Sequence, residues 1–202
     1  TGNALWSQGA TVHAVVPWWL AFLILTIAGE RLELSRFLPP SPFARRAFGL
    51  ILAGSLAGLL GIATAWGPSV FGGSLFALAF WVGKQDIARR TVRGKGLTRF
   101  IAVCLLSGYA WLALGGALIV AAGGLAPGTP SYDAALHALA LGFVFAMVFG
   151  HAPIIFPAVL RVAVPYHPTF YLPLAVLQLS LLVRLAGDAT AQFDWIRIGG
   201  AL

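Results

Sequence analysis

A chain of 202 residues with 59% hydrophobic and only 9% charged side chains cannot clothe a water-exposed surface, because soluble domains carry about a quarter charged residues. A soluble globular domain is thereby excluded, and the single cysteine excludes an internal disulfide. The net charge of +7 does not point to nucleic acid, since the basic residues sit in short links between apolar runs, where the positive-inside bias accounts for them.

Six apolar runs follow in chain order, each near the roughly 20 residues that a bilayer requires of a helix. They cover about residues 12–29, 44–66, 68–83, 100–122, 132 to beyond 151, and 170–186. The runs are continuous rather than alternating, so barrel strands are a poor fit. The expected fold is all-α: one membrane-embedded domain over residues 1–202, a polytopic bundle of about six transmembrane helices. Eleven of the thirteen basic residues fall in three links: Arg31, Arg36, Arg45 and Arg46; Lys84 to Arg99; and Arg161. That asymmetry orients the N-terminus to the non-cytoplasmic side, in what reads as a prokaryotic inner (cytoplasmic) membrane. No basic leader precedes the first run, and the chain stops in Ile198-Gly-Gly-Ala-Leu202, where a further span could begin. It therefore reads as a fragment of a longer protein.

Small residues predict where helices meet. Gly54-Ser-Leu-Ala-Gly58 with Gly61 puts glycines on one face of the second span, and Ala138-Leu-Ala-Leu-Gly142 does likewise on the fifth. Pro153 and Pro157 predict that the fifth helix kinks or ends near Gly150-His151, since proline lacks a backbone donor and clashes with the preceding turn. Cys104 and Met147 read as core filling.

The fifth run is bounded by two histidines, His137 and His151, with only apolar residues and glycines between them. On an ideal helix fourteen positions leave the rings roughly 40° apart and about 21 Å apart along the axis. Imidazole ligates metals and haem and carries protons, and ionisable groups inside a bilayer are by default functional. Topology pairs His13 with His137 near one membrane boundary and His151 with His167 in the other half, and two-histidine ligation needs such matched depths. Against this stands the plain reading of each as an interfacial or hydrogen-bonded group. The spacing of a closed zinc site is missing. Asp133 suits the start of the fifth helix, Arg184 and Asp188 pair at i, i+4, and Glu30, Arg31, Glu33 and Arg36 form a polar helix end open to solvent or a partner.

The segment His137-Ala-Leu…Gly142…Met147…Gly150-His151, within residues 137–160, resembles the His-Ala-Leu-x-x-Gly-x-x-x-x-Met pattern of the NnrS-type membrane proteins. That family's Leu-Gly-His-Thr-Gly-Arg loop is here Phe149-Gly-His-Ala-Pro153. The resemblance implies a polytopic protein of the nitric oxide response that binds haem and copper, with His137 carried over as a ligand. Three functional expectations result. The first is a haem- or copper-binding membrane protein in respiratory electron transfer or nitric oxide handling, with His137, His151, His13 and His167 as candidate ligands in that order and His137 and His151 as metal ligands. The second is a cofactor-free subunit packed against other membrane subunits. The third is a small-molecule transporter framed by a broken fifth helix. The lipid bilayer is the partner common to all three.

Overall fold

In the computed structural model, residues 2–34, 41–162 and 164–201 are described, and they are helical with short connections. A short α1 (Gly2–Ser7) lies against α2 (Val12–Leu34). Next come α3 (Pro42–Leu60), α4 (Gly67–Gln85), the one-turn α5 (Ala88–Thr91) and α6 (Gly96–Ala122). The fifth long rod is composite: α7 (Pro130–His137), a π-helical segment over Ala138–Phe145, and α8 (Ala146–Leu160). A 3-10 turn at Pro168–Phe170 then leads into α9 (Tyr171–Thr190), and α10 (Phe193–Ala201) folds back on α9.

The helix ends follow from local chemistry. Ser41 accepts the Ala44 amide at 3.2 Å and Pro42 follows it, a side-chain cap with proline in the first turn. Thr129 and Pro130 start α7 in the same way, with the Tyr132 amide donating to Thr129 Oγ1 at 3.2 Å. Gly123, at φ 63°, stops α6 in the left-handed conformation that glycine adopts freely. Span two ends at Leu60 rather than Trp66. Residues 61–66 form a turn closed by Thr64, whose hydroxyl donates to the Gly61 carbonyl at 2.6 Å and accepts the Gly67 amide at 3.2 Å.

Five of the rods are long and apolar enough to cross a membrane: residues 12–33, 42–60, 96–122, 130–160 and 168–190. The sixth, α4, has 19 residues but spends several on glycine, serine, Lys84 and Gln85. It lies between α3 and α6 at the centre of the bundle, where Phe71, Leu75 and Leu78 are almost wholly buried. Large side chains on the opposite surfaces, such as Phe22, Phe43, Leu50 and Val159, are exposed, as lipid-facing positions are.

Glycine sets the closest crossings. A Cβ on Gly116 of α6 would fall 2.6 Å from the Gly72 carbonyl oxygen and 2.7 Å from the Phe76 amide of α4. The expected glycine contact of span two is present, with Gly58 against the Phe71 backbone and Gly54 against Ser74 Oγ. On the fifth rod, Gly142 lies under the Trp111 ring. Met147 packs on Gly108, and Cys104 is fully buried. Of the expectation that the fifth helix kinks or ends near Gly150-His151, the ending is corrected: α8 runs through both prolines to Leu160. The irregularity lies earlier, in the π segment, where hydrogen bonds reach one residue further back than in an α-helix. Each residue there turns through less than 100°, so the ideal-helix placement of His137 and His151 on one face does not carry across it.

Candidate functional site

Two polar clusters lie on the bundle, each holding one histidine of the fifth rod. The first joins four helices. Arg31, three residues from the end of α2, has a side chain only 10% exposed, and its Nη2 donates to His151 Nε2 of α8. Its Nη1 lies 4.0 Å from Asp86 Oδ2, just after α4. The Tyr109 hydroxyl of α6 donates to the same carboxylate oxygen at 2.5 Å, while the Ala88 amide donates to Asp86 Oδ1 at 2.8 Å. His151 lies nine residues before the end of α8, about 14 Å along the axis, so the cluster is well inside the rod. Arg31 is thus not part of a solvated helix end: the α2 register turns it inward to a buried carboxylate and an imidazole. Arg36 lies outside the described residues.

The second cluster joins α7 and α9. Arg184 Nε and Nη2 both donate to Asp133 Oδ2, at 3.1 and 2.8 Å. The expected Arg184–Asp188 pair is corrected, because Asp133 across the helix interface takes the guanidinium. Asp188 is buried, and its Oδ2 has no hydrogen-bond partner among the described residues. His137 Nδ1 lies 2.8 Å from the Asp133 carbonyl oxygen and 3.4 Å from Asp133 Oδ1. His13, at the start of α2, reaches the same rod: its Nδ1 is 3.2 Å from the Tyr132 hydroxyl, with the rings edge-on.

These contacts fix tautomers. A carbonyl oxygen only accepts, so in their neutral form the rings of His137 and His151, each with Nδ1 on the carbonyl four residues back, carry the proton on Nδ1 and the lone pair on Nε2. In His151 that lone pair accepts from Arg31. In His167 the Thr169 amide donates to Nδ1 at 3.3 Å, capping the 3-10 turn, so the lone pair is used there too. His137 is the ring whose Nδ1 is fixed while Nε2 meets no donor among the described residues. An orienting acceptor on one nitrogen with the other presented outward is the arrangement of a ligating imidazole.

The structure therefore does not join the histidines as two pairs. It gives each ring its own partner: Tyr132, Asp133, Arg31 with Met147, and Thr169. It does bring His13 of α2 against Tyr132, on the rod that carries His137. What the sequence reading missed is the convergence of Asp86 and Tyr109 on Arg31. A carboxylate in a basic link looks like an ordinary loop charge, and a tyrosine in an apolar run looks like core. Between the clusters, Trp111 Nε1 donates to Gln178 Oε1 at 2.5 Å, while buried Gln178 Nε2 has no partner among the described residues.

No curated protein and no solved structure matches the chain. The family described as "Domain of unknown function (DUF8744)" matches residues 1–202, and the chain belongs to that family.

Proposed function

We propose that the chain is a haem-binding membrane protein of respiratory electron transfer or nitric oxide handling, with His137 as the ligand. The observation that carries this reading is the locked tautomer of His137. Its Nδ1 proton is spent on the Asp133 carbonyl, and Asp133 is itself clamped by Arg184, so the Nε2 lone pair has a fixed direction. Among the described residues no three His, Cys, Asp or Glu side chains form a group able to hold a metal ion. The residues therefore fit a group that brings four nitrogens of its own and needs one or two imidazoles better than a copper ion caged by protein alone. His13, tied to Tyr132 on the same rod, is the candidate second ligand. His151 and His167, whose lone pairs meet protein donors, fall behind both. Haem, when bound, would supply one-electron chemistry and affinity for a small gas. The chain orients the imidazole, and its apolar helices exclude water.

This reading includes six spans, with α4 counted as one, and an N-terminus on the non-cytoplasmic side of a prokaryotic inner membrane, supported by the clustering of basic residues in alternate links. Other membrane subunits would be the electron partners. Detergent-purified protein tests the ligand: a Soret band that is present in the wild type and lost in His137→Ala supports it, while a colourless wild type grown with ample haem overturns it.

One observation favours a second reading, a small-molecule transporter. The π segment interrupts the α-helical pattern of the fifth rod between the His137 and His151 clusters, as the broken helices that frame transporter sites are interrupted. Substrate-dependent uptake into vesicles that Pro153→Ala alters would favour it.

A further inference from the structure

The link from α4 to α6 carries more than the basic charge needed for orientation: it builds a pocket. Lys84, Arg89, Arg90 and Arg93 line a cavity of about 560 Å³ together with Gln85 and Asp86. The single carboxylate of this lining, Asp86, is outnumbered by the four cations. Both of its oxygens are engaged, Oδ1 by the Ala88 amide and Oδ2 by the Tyr109 hydroxyl, and Arg31 faces the second. Among the described residues none of the four cations is held in an ion pair.

A second cavity of about 480 Å³ shares Lys84 and Arg89 with the first and runs from them along the crossing of α4 and α6. Its walls are Ala79, Phe80 and Gly83 of α4 and Tyr109, Ala110 and Ala113 of α6. The small residues leave the groove open: a Cβ on Gly83 would meet nothing nearer than Tyr109 at 4.0 Å. Phe80, 61% exposed, forms one bank.

A cationic chamber that opens into an apolar groove between two membrane-length helices matches one chemistry, a phosphate ester joined to a hydrocarbon chain. We propose that this is a binding site for an anionic phospholipid, with the phosphate among Arg89, Arg90, Arg93 and Lys84 and one acyl chain along the α4–α6 groove. Arginine suits the phosphate because its planar fork donates two parallel hydrogen bonds. The positive-inside bias accounts for cations in this link but not for their continuity with an apolar channel. Lipid headgroup and free phosphate share the recognition chemistry, and the groove commits the site to the lipid.

The test uses the full chain in detergent, stripped of lipid and followed by native mass spectrometry. Dioleoyl phosphatidylglycerol, dioleoyl phosphatidylcholine and inorganic phosphate are added separately. Phosphatidylglycerol is expected to be retained at least tenfold more than phosphatidylcholine. Arg89→Ala and Arg90→Ala should each weaken its retention about fivefold, the effect of one basic residue at an anionic lipid surface, and leave phosphatidylcholine unchanged. Ala110→Leu, on an exposed position that fills the groove without touching the cations, should weaken phosphatidylglycerol and spare inorganic phosphate. Equal retention of the two lipids, wild-type retention by the arginine variants, or inorganic phosphate competing as well as phosphatidylglycerol would each overturn the proposal. Circular dichroism of the variants separates lost binding from lost fold.

Discussion

Arg31 and His151, 120 residues apart in the chain, meet inside the bundle, with the guanidinium donating to the imidazole lone pair. The contact ties the first rod to the fifth and, through Asp86 and Tyr109, to the helices between them. Arg31 Nε is buried with no partner among the described residues, where the guanidinium is held by its other nitrogens.

Arg31→Met should be among the most damaging single changes. It leaves the buried Asp86 carboxylate without its ion-pair partner, and breaking a buried ion pair from one side costs roughly 3–5 kcal/mol. Unfolding in mixed detergent measures this. Arg31→Met combined with Asp86→Asn should recover much of the loss, and a double variant no better than the single one would contradict the pairing.

Tyr109→Phe removes the hydroxyl that donates to Asp86 at 2.5 Å while keeping the ring that packs in the core. A hydrogen bond to a charged group contributes about 1.5–3 kcal/mol, so a loss in that range is expected from the same unfolding assay. Loss below about 0.5 kcal/mol would show that the carboxylate does not need the phenol.

Gly116→Ala should force α4 and α6 apart, because the new methyl would sit 2.6 Å from the Gly72 carbonyl and 2.7 Å from the Phe76 amide. Both obstacles are backbone and cannot rotate away. Overpacking of this kind costs about 1–3 kcal/mol. Gly73→Ala, which meets nothing within 4 Å one residue along α4, is the control and should be neutral or slightly stabilising. Thermal stability of the two variants side by side decides it.

Arg184 distinguishes the i, i+4 expectation from the folded arrangement. A double-mutant cycle between Arg184 and Asp133 should give a coupling of about 1 kcal/mol, as suits a partly exposed bidentate pair, whereas the cycle with Asp188 should give less. A larger coupling to Asp188 would reverse the assignment. If His137 holds a cofactor, Arg184→Ala should also shift its absorption spectrum, since the guanidinium fixes the aspartate whose carbonyl orients the ring.

Much of the architecture was legible in one dimension. Residues 100–122 and 170–186 became α6 and α9 nearly unchanged, because about twenty continuous apolar residues in lipid must satisfy their own backbone and only a helix does so. The Gly54–Gly58 contact was legible for a similar reason: glycine repeated at four-residue spacing lies on one helix face. The π segment was not. Ala138–Phe145 has the composition of any buried helix, and nothing local distinguishes the wider turn.

The rule that set the rods, hydrophobic burial and internal backbone pairing, acts on each stretch of chain alone, so the sequence by itself determined an all-helical protein with membrane-length spans and histidines at the ends of the fifth. Which charges turned inward was decided only by tertiary structure. Arg31 borders a link rich in arginine and reads as part of a polar helix end open to solvent or a partner, and Asp86 borders a link rich in arginine and lysine. Their burial depends on α2, α4, α6 and α8 bringing an imidazole, a carboxylate, a phenol and a guanidinium to one point. Desolvation makes each of those groups unfavourable alone, and only their mutual presence offsets it.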